Sequence, residues 1–340
     1  MVRILNLMEN VEFLVGDAKE KLQELPADHA QTAITSPPYF GLRDYEKENQ
    51  IGLEESIDDF IENLCNIIDE TGRVLRLDGT FWLNMGDTYH TGNIESGDIK
   101  PKDQCLVPHR VAIELQRRGW YVRSTVIWHR TTAPPESVKD RPTNAHEYFF
   151  LLSQNRKYFY DHFAVKEPMK TGAEGSLKNK RDVWPIPGAS FGGDHFAVMP
   201  LELVEDPIKA STSKKGQCAE CGAPIKRTIE KEGVAYKDAG NRKRAEAPGS
   251  EITKGHNSVF QEGVIQSEKT SGWKPTCDCD TEETEPQVVL DPFCGSGTTG
   301  IGALKHGRRF VGIDLNEEFI DIAKERIQNH EDVPANHSFW

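Results

Sequence analysis

Short apolar runs alternate with amphipathic stretches along most of the chain, a pattern typical of an α/β protein built on a sheet. The short runs predict strands, and the amphipathic stretches predict helices between them. The predicted strands are Val11–Val15, Gln31–Thr35, Gly79–Asn84, Val122–His129, Glu147–Ser153, Gln287–Leu290 and Arg309–Ile313.

Three of the amphipathic stretches have ends that can be read from the sequence. One helix is predicted to begin at Ser56, which forms a capping pair with Asp59. A second runs from Pro108, in its first turn, to Gly119 just past its end, and a third starts near Asn316. The apolar faces of these helices predict core packing, and no function is inferred from them.

Residues 211–285 depart from this pattern. They are rich in Gly, Ser, Lys and Glu and show no sustained periodicity, so we predict an insertion outside the main sheet. The whole chain of 340 residues is 37% hydrophobic, enough to bury a sizeable core. No apolar run approaches the roughly 18 residues that a membrane span needs, and the first residues lack a signal peptide's apolar core. We therefore expect a cytoplasmic protein with no membrane partner.

Charge is distributed unevenly along the chain. The formal net charge is −13, yet residues 100–181 carry 16 basic and 8 acidic side chains between acidic flanks. Binding to a polyanion depends on local Lys and Arg density, so this basic segment is compatible with phosphate contacts. An ordinary solvated surface explains the same charges equally well, and charge alone does not choose between the two.

A glycine-rich loop follows the predicted strand near the C-terminus. Residues 287–300 read QVVLDPFCGSGTTG; Gly295, Gly297 and Gly300 match G-x-G-x-x-G, and Asp314 ends the next strand. Glycines let backbone N–H groups approach a ligand, the following helix N-terminus favours negative charge, and an acidic residue at a strand tip accepts ribose hydroxyls. The loop predicts a nucleoside cofactor, with a plain strand–turn–helix corner as the alternative.

Two features of the loop disfavour NAD and a dehydrogenase. The loop opens with Asp291-Pro292-Phe293 rather than directly with glycine. Only about 50 residues follow Asp291, too few for the remaining strands of a dinucleotide-binding fold. If the chain forms one sheet, the other strands must come from its N-terminal part.

The second candidate for chemistry is the turn AITSPPY, residues 33–39, directly after a predicted strand. Consecutive prolines fix φ, remove two backbone donors and leave rigid carbonyl acceptors. Ser36 and the carbonyl of Pro37 can then accept both hydrogens of an amino group, while Tyr39 offers a face for stacking a base. Accepting both N–H bonds localises the nitrogen lone pair of cytosine or adenine, which favours attack on a methyl group held in line. A surface turn that closes a strand is the alternative for this tetrapeptide in isolation.

Together, AITSPPYFGLRDY and VVLDPFCGSGTTG resemble the amino-group DNA methyltransferases, which use S-adenosylmethionine. The catalytic motif precedes the cofactor loop, which is similar to the permuted β-class order of that family. Further matches are Gly16-Asp17, Pro135–Glu147 and Gly193–Leu203. The resemblance covers nearly the whole chain apart from residues 211–285. It implies a Rossmann-like α/β sheet in circularly permuted order, in which residues 1–160 complete the sheet begun by residues 287–330.

The resemblance also implies roles for individual residues. The catalytic turn is Ser36, Pro37, Pro38 and Tyr39. The methionine end of the cofactor is held by Asp291, Phe293, Gly295, Gly297 and Thr298, and its ribose by Asp314. The adenine of the cofactor lies near Asp17, in a pocket closed by His195, Phe196 and Pro200.

The first residue of the catalytic turn bears on the target base. In the family, Ser-Pro-Pro-Tyr mostly accompanies cytosine amino methylation and Asp-Pro-Pro-Tyr mostly adenine methylation, so Ser36 favours N4 of cytosine over N6 of adenine. Methylation at carbon 5 needs a cysteine nucleophile, normally after proline, and the chain has no Pro-Cys pair. Ser36 is a weak base, so the acceptor of the released proton stays open.

Three alternatives to DNA methylation remain at this point, one of them the NAD dehydrogenase that the loop disfavours. Methylation of a protein glutamine amide would favour Asn-Pro-Pro-Tyr and gives no reason for the basic segment. A zinc-dependent DNA-binding module with a vestigial cofactor loop belongs to another class, and it would bind DNA but not S-adenosylmethionine.

Four of the seven cysteines form two close pairs, Cys218-x-x-Cys221 and Cys277-x-Cys279. The first pair is a good zinc half-site because its turn points both sulfurs at one metal; the second pair is one residue tighter than the usual partner. A closed four-thiolate site would stabilise a segment that has little core. We predict a structural zinc ion on these four residues, with four unlinked cysteines as the alternative.

A base that is methylated inside an enzyme must leave the duplex, so the protein must hold the surrounding double-stranded DNA. The candidate phosphate contacts are Lys139, Arg141, Arg156, Lys157, Lys178, Lys180 and Arg181. The polar run Thr88–Asp103 and residues 160–190 are candidates for reading bases. The setting is a prokaryotic or viral cytoplasm, and a cognate restriction endonuclease is a partner if the enzyme is not solitary.

These interpretations divide the chain into four segments. Residues 1–160 form the catalytic half of the methyltransferase domain, and residues 286–340 form its cofactor-binding half. Residues 161–210 recognise the target or close the cofactor pocket, and residues 211–285 are the cysteine-containing insertion.

Overall fold

The computed structural model describes residues 10–42, 44, 46–47, 49–92, 99–169, 177–190, 197–235 and 264–330. Strands and helices alternate from Val11 to Arg130, and strands follow one another over much of the rest of the described chain. No helix in this part of the chain is long and apolar enough to cross a membrane.

The strands, in chain order, are β1 (Val11–Val15), β2 (Ala30–Thr35), β3 (Leu75–Met85), β4 (Tyr121–Arg130), β5 (His146–Ser153), β6 (Glu167–Pro168), β7 (Leu177–Lys178), β8 (Val183–Ile186), β9 (Ala189–Ser190), β10 (Ala197–Val198), β11 (Gln217–Cys218), β12 (Lys226–Ala235), β13 (Val264–Lys274), β14 (Thr284–Glu285), β15 (Val288–Asp291) and β16 (Arg309–Asp314). The helices are α1 (Ala18–Glu24), α2 (Ile57–Val74), α3 (Val107–Arg117), α4 (Leu201–Ser211), α5 (Thr298–Lys305) and α6 (Glu317–Asn329). A short 3₁₀ helix covers His162–Val165.

Eight of the described strands form one sheet in the order β1-β16-β15-β2-β3-β5-β4-β8. The first five strands in this order, β1, β16, β15, β2 and β3, run parallel to one another. Strand β5 is antiparallel to both of its neighbours, β3 and β4. The two strands from the end of the chain therefore lie between β1 and β2, and both parts of the chain contribute to one sheet. Because β5 is reversed, its first residues lie at the same edge as the carboxyl ends of the parallel strands.

Helices bury both faces of this sheet. The core on one face contains Leu22 of α1, Phe60 of α2 and Val111 of α3. The core on the other face contains Ile208 of α4, Leu304 of α5 and Ile320 of α6. Every residue of the central strand β2 is buried. Its adjacent residues Ala33 and Ile34 belong to the cores on opposite faces of the sheet. Burial on both faces also explains why β15 reads as a run of apolar residues that ends at Asp291.

All seven predicted strands are present, with ends that differ by at most four residues. The largest difference is at β3, which begins at Leu75, directly after α2. Its first four residues, LRLD, mix apolar with charged side chains, so they were not predicted as part of the strand. The three predicted helix starts are confirmed. Ser56 caps α2 by accepting from the N–H of Asp59 at 3.1 Å, Pro108 lies in the first turn of α3, and Asn316 caps α6. The short helices α1 and α4 were not predicted.

In the described part of residues 211–285, the strands pair with each other and not with the central sheet. β11 pairs with β14, and β12 pairs with β13 as a long antiparallel hairpin. The hairpin escaped prediction because its strands are polar and lack a clean alternation. Arg227 of β12 lies 2.9 Å from Asp161 and over the ring of Trp273, which ties the hairpin to the rest of the protein.

Candidate active site

A cavity of about 600 Å³ lies at the edge of the sheet where the parallel strands end. Ligand sites of open α/β sheets are found at this edge. The sequence-predicted residues that line the cavity are Asp17, Ser36, Pro37, Pro38, Tyr39, Asp291, Phe293, Gly295, Thr298 and Asp314. The fold thus brings the two sequence motifs, far apart in the chain, into one site.

The glycine loop has a backbone that side chains would disturb. Gly295 and Gly297 have φ values of 48° and 80°, in the left-handed region that favours glycine. A Cβ on Gly297 would lie 2.8 Å from Cβ of Ala323, so this glycine lets α5 approach α6 closely. A Cβ on Gly295 would meet nothing within 4 Å, which leaves the backbone here accessible to a ligand.

Asp291, at the end of β15, is a buried carboxylate with a raised pKa. Its Oδ1 accepts from the hydroxyl of Thr35 at 2.6 Å and from the N–H of Phe293 at 3.1 Å. Burial raises its pKa to about 6, although these hydrogen bonds act in the opposite direction. No cationic side chain pairs with Asp291 among the described residues, so its charge is suited to a cationic ligand group such as an ammonium.

Two further carboxylates border the cavity. Asp314, at the end of β16, accepts from the N–H groups of Gly295 at 2.8 Å and Asn316 at 2.9 Å, and burial raises its pKa. Asp17 caps α1 by accepting from the N–H of Glu20 at 3.0 Å. Both are held by backbone donors, which fixes their orientation at the site.

The Ser-Pro-Pro-Tyr turn leaves β2 directly beside Asp291. The hydroxyl of Ser36 donates to the hydroxyl of Tyr39 at 3.1 Å. Tyr39 in turn donates to Oε2 of Glu147 at 2.6 Å, and the amide of Asn84 donates to Tyr39 at 2.8 Å. With its proton directed at Tyr39, the oxygen of Ser36 keeps lone pairs that can accept from a ligand.

The ring of Tyr39 is positioned by close packing as well as by hydrogen bonds. A Cβ on Gly86, just after β3, would lie 2.7 Å from Cε2 of Tyr39, so only glycine fits at this distance. Burial and the neighbouring charge of Glu147 raise the pKa of Tyr39 well above its ordinary value, so the phenol stays protonated and keeps donating.

Asn84, Trp128 and Glu147 are among the cavity-lining residues that sequence reasoning missed. Asn84 lies next to the last residue of β3, Trp128 lies near the end of β4, and Glu147 is the second residue of β5. No motif marks Asn84 or Trp128. Glu147 lies at the end of the matched stretch Pro135–Glu147, but only its place on the reversed strand β5 brings it to Tyr39.

Of the three residues predicted to close the adenine pocket, the structure describes Pro200. His195 and Phe196 lie outside the described residues. Pro200 is buried at the start of α4, and it is Val198 and Met199, just before it, that line the cavity. Gly297 shapes the loop from behind and is not part of the cavity lining.

The four predicted metal ligands are brought together. The sulfur atoms of Cys218, Cys221, Cys277 and Cys279 all lie within 4.8 Å of one another. The N–H groups of Cys221 and Glu220 donate to the sulfur of Cys218 and lower its pKa to about 7. Four converging thiols with such N–H donors fit the chemistry of a structural zinc site.

The predicted DNA contacts are spread over different parts of the surface. Lys139 is exposed in the loop between β4 and β5, at the cavity edge of the sheet. Arg141, in the same loop, lies 2.6 Å from Glu136 and 3.8 Å from the ring centre of Tyr89, so it is held in place within the protein.

The other five basic residues are farther from the cavity or already paired. Lys178 and Arg181 lie 3.2 and 2.6 Å from Glu167, and Lys180 pairs with Asp206. Arg156 and Lys157 are exposed and follow the end of β5, at the sheet edge opposite the cavity. Of the seven, Lys139 is therefore the one that is exposed at the cavity edge of the sheet without an ion pair among the described residues.

Comparisons with known proteins place these motifs in a family. The N6/N4 methyltransferase family described as DNA methylase matches residues 30–219 and 281–325. Type II methyltransferase M.Cfr9I of Citrobacter freundii is 35% identical over 335 residues, covering 93% of this chain and 87% of the relative. Type II methyltransferase M.SmaI of Serratia marcescens is 34% identical over 339 residues, covering 94% of this chain and 91% of the relative.

Solved structures share the fold at low sequence identity. PvuII DNA methyltransferase (cytosine-N4-specific) matches with a TM-score of 0.57 and 17% identity, covering 95% of this chain and 94% of that chain. TTHA0409 of Thermus thermophilus, complexed with S-adenosyl-L-methionine, matches with a TM-score of 0.52 and 21% identity, again covering 95% and 94%. At these identities the matches establish the fold alone.

Proposed function

The chain belongs to the N6/N4 family of DNA methylases, and from this premise we propose that it methylates the N4 amino group of cytosine in double-stranded DNA. Family membership makes it an S-adenosylmethionine-dependent DNA methyltransferase that acts on an exocyclic amino group. The choice of cytosine, the residues that hold the cofactor and the catalytic residues are the proposal. Like its relatives named as Type II methyltransferases, it is proposed to be site-specific and to act beside a cognate restriction endonuclease.

The observation that carries the proposal is the hydrogen bond between Thr35 and Asp291. It joins the turn that would hold the target amine to the loop that would hold the cofactor, although the two residues are 256 positions apart. A reaction between two bound molecules gains a large part of its acceleration from such fixed proximity. The cavity of about 600 Å³ is lined by residues of both the turn and the loop.

The residues of the glycine loop fit the cofactor. The bound cofactor supplies an electrophilic methyl group on a sulfonium. Asp291 offers a buried negative charge for the ammonium of the methionine end, and Gly295 leaves the backbone open beside it. Asp314 and Asp17 are oriented at the cavity edge to meet the ribose and the adenine.

The turn supplies acceptors for the target amine. The oxygen of Ser36 has lone pairs to accept one N–H bond, and the carbonyl of Pro37 can accept the other. Accepting both bonds localises the lone pair on the nitrogen and stabilises the charge that develops during transfer. Tyr39, held by Glu147 and Asn84, keeps the turn in place and presents its ring to the base.

Cytosine is preferred over adenine because Ser36 places a neutral hydroxyl at the first position of the turn. The resemblance associates this residue with cytosine, and the PvuII enzyme, which shares the fold, is named as cytosine-N4-specific. Adenine N6 remains the second candidate, because the same acceptors suit its amino group.

The first experiment identifies the methylated product. Incubation of the protein with labelled S-adenosylmethionine and unmethylated double-stranded DNA, followed by digestion to nucleosides, is expected to yield N4-methylcytosine by mass spectrometry. N6-methyladenine would keep the fold and the mechanism but contradict the role given to Ser36. No product on several DNAs and salt concentrations would contradict the proposed function.

We also propose a division of the chain around this site. Residues 1–160 and 286–340 are the two halves of one circularly permuted methyltransferase domain, a proposal supported by the position of β15 and β16 between β1 and β2. Residues 161–210 close the cofactor pocket or contact the target. Residues 211–285 are the insertion, which carries the cysteine cluster.

The cysteine cluster is proposed to hold a structural zinc ion. Elemental analysis of the purified protein is expected to find about one zinc per chain. Cys277→Ser should lower this content, because it removes one of the four converging sulfurs. Cys65→Ala, which removes a buried thiol of α2, is the matched control and should keep the metal. A stable protein that is free of metal would contradict the zinc site.

A further inference from the structure

A hydrogen-bonded chain leads from the catalytic turn to a carboxylate on another strand. Ser36 donates to Tyr39 at 3.1 Å, and Tyr39 donates to Oε2 of Glu147 at 2.6 Å. An ionised carboxylate can only accept, so the direction of the second bond is fixed, and the first follows from it. Glu147 is 9% exposed, and nothing in the sequence motifs assigns it a role.

Two neighbours hold the end of this chain. Nδ2 of Asn84 lies 2.8 Å from the hydroxyl of Tyr39 and 2.8 Å from Oε2 of Glu147. Since Glu147 only accepts, the nitrogen of the amide must face it. Nη1 of Arg130 lies 3.2 Å from Oε1 of Glu147 and compensates its buried charge. The carboxylate is therefore aimed at Tyr39 by partners from β3 and β4.

We propose that Glu147 is the final acceptor of the proton that leaves the target amine, and that Ser36 and Tyr39 pass this proton on. The inference rests on the proposed function, since it needs an amine that loses a proton. Because Ser36 is a weak base, it is not itself a suitable final acceptor of the proton. In this relay its hydroxyl need only exchange one proton for another.

The amine nitrogen forms a bond to the methyl carbon, the carbon–sulfur bond breaks, and sulfur keeps the electron pair as a neutral thioether. The nitrogen, now positively charged, gives a proton to Ser36 as Ser36 gives its own to Tyr39 and Tyr39 gives its own to Glu147. The positive sulfonium and the negative carboxylate are both neutralised, and Glu147 later releases the proton to water.

The high pKa of Tyr39, which lies between Ser36 and Glu147, favours a concerted transfer of the protons. Burial and the charge of Glu147 raise the pKa of Tyr39, so a separate tyrosinate is not formed on the way. Glu147 lines the cavity, which gives its carboxyl group access to water once the products have left. Glu147 acts through Tyr39 and is thus a positioning residue that does not contact the base.

The test is Glu147→Gln in the full-length protein, with Tyr39→Phe as a second variant. Gln keeps the shape and an oxygen for Tyr39 but cannot take the proton. We expect the single-turnover rate of methyl transfer to fall about a hundredfold in each variant. The Kd for S-adenosylmethionine and for DNA should change less than about threefold, and the double variant should be no slower than the slower single one, because the residues act as one unit.

The matched control is Glu114→Gln on α3. This variant removes a carboxylate that pairs with Arg118 at 3.2 Å, and it is expected to transfer methyl groups at the wild-type rate. Circular dichroism establishes that each variant is folded, and Tyr39→Phe carries the test if Glu147→Gln is not. If the wild type is active and Glu147→Gln transfers methyl groups at the same rate, the relay is overturned but the proposed function is not. Additive losses in the double variant, or a loss of cofactor affinity equal to the loss of rate, would also overturn the relay. A wild type that methylates no DNA would overturn the proposed function and the relay with it.

Discussion

Replacing Ser36 with alanine is expected to slow methyl transfer by about a hundredfold to a thousandfold while cofactor binding is retained. The hydroxyl is the acceptor that the turn offers to the target amine, and its removal also ends the contact with Tyr39. Among the described residues the hydrogen bonds of Ser36 go to Tyr39 and Asn84 and not to the glycine loop, where the cofactor is expected to bind. The single-turnover rate with labelled S-adenosylmethionine measures the first effect, and calorimetry measures the second.

Ser271→Ala is a suitable control for the Ser36 variant. Ser271 lies on the hairpin strand β13, where its hydroxyl donates to Thr228 at 3.2 Å, away from the cavity. This variant should transfer methyl groups at the wild-type rate. Equal losses of rate and of cofactor affinity in Ser36→Ala would contradict the role assigned to the catalytic turn.

Replacing Asp291 with asparagine is expected to abolish tight binding of S-adenosylmethionine and, at the same time, to stabilise the free protein. Asparagine can still accept from Thr35 and Phe293, but it removes the buried charge that would hold the ammonium. Calorimetry should show at least a tenfold rise in Kd. Thermal unfolding without cofactor should show a higher Tm, by several degrees.

The pH dependence follows from the pKa of Asp291, which rises from an ordinary value of 3.8 to about 6 in the folded protein. A raised carboxyl pKa costs stability once the group ionises, on the order of 3 kcal/mol at pH 7. The variant should therefore be more stable than the wild type above pH 6, and the difference should vanish near pH 4. Cofactor affinity of the wild type should weaken below about pH 6, as protonation removes the charge. A variant with unchanged affinity would contradict the role of Asp291.

Much of this protein can be derived from its sequence, because the governing interactions are local. Ser56 and Asp59 form a helix cap within four residues, and the two prolines of the catalytic turn stiffen the backbone next to them. The positive φ values of Gly295 and Gly297 are available to glycine at little cost. Strands that are buried on both faces also show themselves as apolar runs. The α/β fold, both motifs and the cysteine pairs are therefore visible in the sequence.

The rest depended on the tertiary structure, because it arises from pairings between distant parts of the chain. Glu147 meets Tyr39 only because β5 runs antiparallel to β3, and the same reversal takes Arg156 and Lys157 to the opposite edge. The raised pKa of Asp291 comes from burial, which no local pattern reports. The sequence by itself determined which groups are available for methyl transfer; the order and direction of the strands decided which of them meet, since side chains from separate strands come together only where the sheet places them.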